Sequence, residues 1–255
     1  MLRSSEIGAT PEPLVRALRG KAAAALVSRL AGPPGLAAFD ADGTLWDGDL
    51  GEAVLRDLVA RRRLLDSPRD PWGEYLRLFE VGPAEAFAYA GRLMAGLSEL
   101  EVRETSARIF ATEFAPRVFP ETRWLLETLA GNGWEVYIVS ASNRWSIEVA
   151  AEVFGLPADR VVALDLDAER GILTDRVRLP VPTLEGKPAL LRARSGRNPD
   201  LAFGNSVLDI PLLLAAAVPV AVGLLPGLLS PASHPNAFLA QAAQRGWARL
   251  EIPAA

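Results

Sequence analysis

Two aspartates stand two positions apart in Phe39-Asp40-Ala41-Asp42-Gly43-Thr44-Leu45. Residues i and i+2 of an extended chain share one side, so both carboxylates face the same way, and the glycine that follows permits a sharp departure from the strand. Many ordinary loops carry an Asp-x-Asp pair, so the surroundings decide its meaning. The chain has no cysteine, which excludes disulfides, thiolate metal sites and cysteine nucleophiles. Its single histidine, His234, lies in the turn-rich stretch Ser230-Pro-Ala-Ser-His-Pro-Asn236 and reads as a surface-loop residue. That argues against a Ser-His-Asp triad and against a multi-histidine metal site. The chemistry left open is that of carboxylates, hydroxyls, lysine and arginine.

Four short apolar runs end in small or polar residues, as buried parallel strands do: Gly35–Phe39, Trp134–Val139, Asp200–Phe203 and Pro219–Val222. Helix-forming stretches Glu121–Ala130, Trp145–Phe154, Pro188–Arg194 and Val207–Ala217 lie between and beside them. This alternation predicts an α/β fold with a doubly wound, mainly parallel sheet, whose ligands gather at the carboxyl ends of the strands. Val161–Asp167 and Ile172–Leu179 flank Ala168-Glu-Arg-Gly171 and read as a strand leading into a hairpin that continues the edge of the sheet. A crossover needs only about a dozen residues, yet residues 41–133 separate the first two strands. The helix-rich stretch from Glu52 to about Ala115 predicts a small all-helical cap inserted after the first strand. The expected division is a core of residues 1–49 and 116–255 and a cap of residues 50–115. Arg61-Arg62-Arg63 and Pro68 to Pro71 read as a helix end and a loop within the cap. Residues 11–31 read as an amphipathic helix rather than a secretion signal.

Of the 255 residues, 50% are hydrophobic and 23% charged, which excludes disordered and low-complexity classes and provides for a core of one or two domains. Lys plus Arg number 27 against 31 for Asp plus Glu, a net charge of −4 that supplies no global field for nucleic acid. Ile210–Leu229 carries no charge and is long enough to span a bilayer. Pro211, Pro219 and Pro226 divide it into a helix-length piece, 211–217, and a strand-length piece, 218–222, so it reads as buried core. The expectation is a soluble cytoplasmic protein, monomer or homodimer, without nucleic-acid or membrane partners.

Asp40-Ala-Asp-Gly-Thr-Leu45, directly after an apolar strand, resembles the first motif of the haloacid dehalogenase superfamily of hydrolases. Val139-Ser140-Ala141-Ser142 resembles the second, Glu185-Gly186-Lys187-Pro188 the third, and Gly204-Asn205-Ser206-Val207-Leu208-Asp209 the fourth. The four occur in order, each at a strand or hairpin exit, and the resemblance covers residues from about 36 to 222. It implies a phosphomonoesterase in which Asp40 attacks phosphorus and Asp42 protonates the leaving oxygen and then activates water. Ser140, the amides after it and Lys187 would hold the phosphoryl oxygens, with Gly43, Thr44 and Ala141 beside the substrate. Mg²⁺ would be held by Asp40, Asp42, Asn205 and Asp209. Asp42 favours ester hydrolysis over dehalogenation, because a departing halide needs no proton. Asn205 stands where the family ordinarily has an aspartate; it removes one negative charge from the metal site, and it could also cap the helix beginning near Val207.

The all-helical insert and Val136-Tyr-Ile-Val-Ser-Ala-Ser142 resemble the phosphoserine phosphatase-like branch. That resemblance implies that Asp49, with Glu52 beside it, would bind a substrate amine and that Arg92 in the cap would bind its carboxylate. Asp49 and Glu52 could equally be first-turn helix residues, and Arg92 a solvated face. Leu208 departs from the branch, which has a phosphate-contacting asparagine there, and the N-terminal 30 residues have no counterpart. Trp46 could line the substrate path or pack in the core. The reading is therefore an Mg²⁺-dependent hydrolase of a small phosphorylated metabolite, phosphoserine being one candidate. A phosphotransferase or mutase and a catalytically weak phosphate-binding protein are the alternatives.

Overall fold

Every residue of Leu36-Ala-Ala-Phe39 is apolar and buried, as in a strand covered on both faces. The computed structural model describes residues 18–61, 69–224 and 235–252. Along the chain, strand β1 (Leu18–Arg19) and helix α1 (Ala23–Leu30) precede β2 (Leu36–Phe39). The insert follows as α2 (Leu50–Ala60), α3 (Pro71–Val81), α4 (Pro83–Arg92) and α5 (Glu99–Ile109), the last running on through a π-helical turn, Phe110–Phe114, and a 3₁₀ turn, Ala115–Arg117. Then come α6 (Pro120–Gly131), β3 (Glu135–Asn143), α7 (Arg144–Val153), β4 (Val161–Leu164), β5 (Leu166–Glu169) and β6 (Ile172–Val177). The chain continues with α8 (Gly186–Ser195), β7 (Leu201–Gly204), a 3₁₀ turn at Val207–Asp209, α9 (Ile210–Ala215), β8 (Val218–Leu224), α10 (Pro235–Gln244) and β9 (Ala248–Ile252).

Seven strands form one sheet in the order β1-β9-β8-β7-β2-β3-β4, parallel throughout except where β1 runs against β9. The order turns back at β2. From there the chain builds β3 and β4 on one side, then returns to build β7, β8 and β9 on the other, which opens a crevice at the carboxyl end of β2. Phe39, the last residue of β2, pairs with Ile138 on one side and Phe203 on the other. Its ring stacks on that of Phe203 with centroids 4.2 Å apart and planes 5° from parallel. The residue before Asp40 is thereby clamped within its own sheet.

The fold class read from the sequence is the one observed, and three local expectations change. The hairpin β5–β6 does not continue the large sheet; only β4 does, and the hairpin forms a separate two-stranded sheet. Its second strand bonds instead to the insert: Gly96 N donates to Leu173 O, Leu173 N to Leu97 O, and Glu99 N to Gly171 O. Leu173 and Leu97 are both buried in that contact, which gives the hairpin an apolar partner that the sheet edge would not. The N-terminal helix begins at Ala23, because Leu18 and Arg19 pair with Leu250 and Arg249. Gly20, with φ +93°, turns the chain between them at a point where a Cβ would lie 2.5 Å from Trp247 O. The part of that expectation before residue 18 lies outside the described residues. Finally, Pro71 opens α3 as its first residue behind the Asp70 cap rather than sitting in a loop. Strands β1 and β9 are additions to the sequence reading. No helix among the described residues is long and apolar enough to cross a membrane.

Ion pairs hold the insert to the core. Arg144, at the start of α7, bonds Glu99 of α5 at 2.6 Å and Asp165 beside the hairpin at 2.5 Å, and Arg103 of α5 reaches back to Glu148 of α7 at 2.5 Å. Phe203→Ala removes half of the ring stack that braces the end of β2 and leaves a cavity in a fully buried layer. It is expected to cost about 3–5 kcal/mol in chemical denaturation, and a loss below about 1 kcal/mol would show that the stack does not brace β2.

Candidate active site

β2 ends at Phe39, Asp40 follows it directly, and the chain then turns. Gly43 adopts φ +75° and passes so close to the Asn205 side chain that no Cβ would fit. This turn folds Thr44 back so that its hydroxyl donates to Asp40 Oδ2 at 2.8 Å. The other oxygen, Oδ1, accepts from Lys187 Nζ at 2.6 Å. Lys187, in the first turn of α8 and 3% exposed, also donates to Asp209 Oδ1 at 2.5 Å. Burial alone would lower the lysine's pKa, but Asp209 and Asp40 outweigh it, so the ammonium is held charged.

Asp209 is a carboxylate with both oxygens engaged. Its Oδ2 accepts from Asn205 N and Ser206 N, each at 3.0 Å, and from Ser206 Oγ at 3.1 Å. Ser206 and Asp209 form a capping box over the turn that leads into α9, so Ser206 rather than Asn205 is the cap. Gly204 permits the approach: a Cβ there would sit 2.5 Å from Asp209 Cβ.

Asp42 is buried on the facing side. Its Oδ1 accepts from Trp46 Nε1 at 2.9 Å and from Leu50 N at 2.7 Å, and its Oδ2 from Ser142 Oγ at 2.7 Å and Ser140 Oγ at 3.5 Å. Burial first, then the charge of Asp49, raises its pKa to about 7 in spite of those donors. Asp40 is pushed up to about 7 by burial and then by Asp209, against the pull of Lys187. Asp49 also rises to about 7, through burial and then Glu52.

Asp40 Oδ2, the main-chain oxygen of Asp42 and Thr44 Oγ1 converge on the side-chain amide of Asn205. Turned to satisfy them, its nitrogen donates to all three, at 3.1, 3.2 and 3.3 Å. A cluster of hard oxygens around one point suits either a hydrogen-bond donor or a small cation. The Asp40 carboxylate, the Asp42 carbonyl and the Asn205 amide oxygen therefore form a donor set of the kind Mg²⁺ takes.

A cavity of about 180 Å³ joins these groups to the insert. Asp40, Asp42, Gly43, Ser140, Ala141, Lys187 and Asn205 line its inner end, and Asp49 and Glu52 its outer end. Thr44 and Asp209 lie behind the wall and act through Asp40 and Lys187. Asp49 is also the N-cap of α2, accepting from Glu52 N at 2.7 Å, so its role in the helix and its place in the cavity coincide. Leu208 contributes an apolar wall. Arg92 does not reach the cavity; it lies at the end of α4, 43% exposed, 3.9 Å from Glu85. Trp46 does not line the path either. It is fully buried against Phe110 and Phe154 and spends its indole N–H on Asp42. His234 lies outside the described residues. Of the two readings open for Trp46 the structure has the packed one; sequence reasoning assigned no part to Ser142, Tyr75, Phe79 or Phe87, the last three of which wall the outer cavity. The one available signal was Ser142, two residues beyond Ser140 on the same strand.

A model of the haloacid dehalogenase-like hydrolase family matches residues 37–214. A phosphoserine phosphatase of Halobacterium salinarum is 27% identical over 203 residues, covering 78% of this chain and 90% of the relative. Phosphoserine phosphatase SerB2 of Mycobacterium tuberculosis is 28% identical over 242 residues, 86% of this chain but 56% of the relative, so the chain spans little more than half of that protein. Among solved structures, a protein of unknown function from Bordetella pertussis Tohama I superposes with a TM-score of 0.68 at 21% identity, covering 87% of this chain and 99% of the other.

The raised carboxyls set a pH-dependent stability. A group whose folded pKa lies above its unfolded value of 3.8 favours the fold when protonated, and that advantage is lost as pH climbs from 3.8 to about 7. Metal-free protein is therefore expected to melt lower at pH 8 than at pH 5.5, and Mg²⁺ to raise the melting temperature by a few degrees, more at pH 8 than at pH 5.5. Asn205→Asp should deepen the loss without metal and tighten the apparent Mg²⁺ affinity. Equal metal responses at both pH values, or an unchanged affinity in the variant, would remove Asn205 and Asp40 from the cation's shell.

Proposed function

The chain belongs to the haloacid dehalogenase-like hydrolases, and from that premise we propose that it is an Mg²⁺-dependent phosphomonoesterase acting on a small phosphorylated metabolite through an aspartyl-phosphate on Asp40. The observation that carries the reading is the pairing of two buried carboxylates in unlike surroundings at one cavity. Asp40 is held by an ammonium and a hydroxyl, whereas Asp42 meets no cation and is held by neutral donors alone, Trp46, Leu50 N and Ser142 the nearest, although burial raises both carboxyls to about 7. Environments that treat two carboxyls so differently suit one for attack and the other for proton transfer.

A carboxylate oxygen of Asp40 bonds to phosphorus as the bond to the ester oxygen breaks, and the departing oxygen takes the proton of Asp42. Asp42, now ionised, removes a proton from water, whose oxygen bonds to phosphorus and displaces the Asp40 carboxylate as inorganic phosphate forms. Ser142 and Trp46 fix the Asp42 carboxyl for both transfers. Lys187 and Ser140 face the cavity and offer donors to phosphoryl oxygens, while Asp209 keeps Lys187 charged and in place. Asp40, the Asp42 carbonyl and Asn205 would hold Mg²⁺, which when bound supplies positive charge against the phosphoryl oxygens.

The named relatives make phosphoserine a candidate substrate. Asn205 favours a second reading, a protein that binds phosphate esters and turns them over weakly, because an amide holds a divalent cation less firmly than a carboxylate.

Phosphate release over a panel of small phosphomonoesters, with Mg²⁺ or chelator, tests both readings. Turnover should require metal and fall at least about a thousandfold in Asp40→Asn; ester binding without turnover in the wild type would leave the second reading. The rate should decline above pH about 7 as Asp42 ionises. Asp42→Asn should slow alkyl esters by about 10²–10⁴-fold and nitrophenyl phosphate far less, since nitrophenolate leaves without a proton. Equal losses on both esters would deny Asp42 its role as acid. Arg92→Ala should change phosphoserine and an uncharged ester alike, and by less than about twofold; selective loss on phosphoserine would return Arg92 to the site.

A further inference from the structure

The outer half of the cavity has a chemistry that phosphate hydrolysis does not call on. Tyr75 and Phe79 project from one face of α3, four residues apart, and Phe87 projects from α4. Their centroids lie 5.5–6.4 Å apart and their planes meet pairwise at 62°, 66° and 75°. Three rings at steep mutual angles form the walls of a corner, and all three line the cavity that begins at Asp40. Phe79 and Phe87 are only partly buried, so they have not closed on one another as a sealed core.

Asp49 and Glu52 stand at the same end. Glu52 takes a hydrogen bond from Tyr75 and lies 3.5 Å from Arg56, whose guanidinium stacks on Trp72 outside the cavity and is 61% exposed. Asp49 feels the same Arg56 charge, but among the described residues no cation comes within ion-pair distance of it. Lys187, the one cation among the described lining residues, is at the opposite end and is bound to Asp40 and Asp209. A carboxylate on the substrate would therefore meet two carboxylates whose counter-charge, Arg56, is not among the lining residues, while an ammonium would meet ring faces and negative charge together.

We infer that the substrate is a phosphomonoester of a short alkylammonium alcohol that bears no carboxylate, its cationic head seated in the corner formed by Tyr75, Phe79 and Phe87. The inference rests on the phosphomonoesterase reading for its reaction and on the cavity walls for its specificity. A methylated head suits walls made of rings, because it has no N–H left to satisfy. A cavity of about 180 Å³ suits a head joined to the phosphate through a few carbons.

The decisive comparison is phosphocholine against 3,3-dimethylbutyl phosphate, which has the same shape with carbon in place of the charged nitrogen, and against phosphoserine. The expected result is a kcat/KM for phosphocholine at least about fivefold above its neutral isostere and above phosphoserine. Phe79→Leu and Phe87→Leu should bring the ratio of phosphocholine to isostere toward one. That ratio does not depend on the folded fraction, so an unstable variant remains informative. A wild-type ratio of one, a ratio untouched in both variants, or a preference for phosphoserine would overturn the inference. Calorimetric titration of the Asp40→Asn protein with the same esters separates the two levels. Selective binding of phosphocholine without turnover of any ester by the wild type would uphold the corner and overturn the hydrolase; turnover without selectivity would do the reverse.

Discussion

Lys187, clasped between Asp40 and Asp209 and almost wholly buried at the end of the cavity, is the interaction from which the rest of the architecture follows. Withdrawing three charges from solvent is tolerated only if each is paired and every remaining lone pair has a donor, because a buried charge stripped of its partner destabilises a protein by several kcal/mol. The chain meets this condition with backbone as much as with side chains. The amides of Asn205 and Ser206 close on Asp209, and Thr44 closes on Asp40. Those contacts in turn require a strand that ends just before Asp40, a turn at Gly43 and a close approach at Gly204. The reversal of strand order at β2 brings these three segments to one crevice.

The cluster is nonetheless short of positive charge. Two carboxylates share one ammonium, Asp42 stands close by with neutral donors alone, and the pKa values of Asp40 and Asp42 are both pushed up to about 7 by burial. A further aspartate at position 205 would bring another negative charge within hydrogen-bonding distance of Asp40. The amide found there donates to the three oxygens instead. The same substitution that lowers the charge available to a divalent cation thus relieves repulsion among the groups that would hold it.

The insert works under a different constraint. Its helices must cover the strand ends and still leave a cavity, and they are anchored at a distance from it, through Arg144 and Arg103 on one side and the main chain of Leu97 against β6 on the other. Placing the anchors there frees Tyr75, Phe79 and Phe87 to shape the outer cavity rather than hold the insert in place. The carboxylate cluster and the aromatic corner thereby line one space from separate elements.

What the sequence determined is what depends on neighbours along the chain. Apolar runs ending in polar residues marked β2, β3, β7 and β8. The strand-to-turn string around Asp40 and Asp42 and the helix start at Lys187 could be read because the residues that matter there are consecutive. The tertiary structure decided everything that depends on partners distant in sequence. The hairpin joined Leu97 rather than the sheet edge, since its alternation is the same for either partner and only the apolar surface offered decides. Leu18 and Arg19 became a strand because Leu250 and Arg249 presented an open edge. Trp46 turned inward to Asp42, and Arg92 away from the cavity, because rotamer and helix phase are set by packing. Three aromatic residues on two helices became a corner only when α3 and α4 met, since no spacing along a chain encodes the angle between rings on different elements.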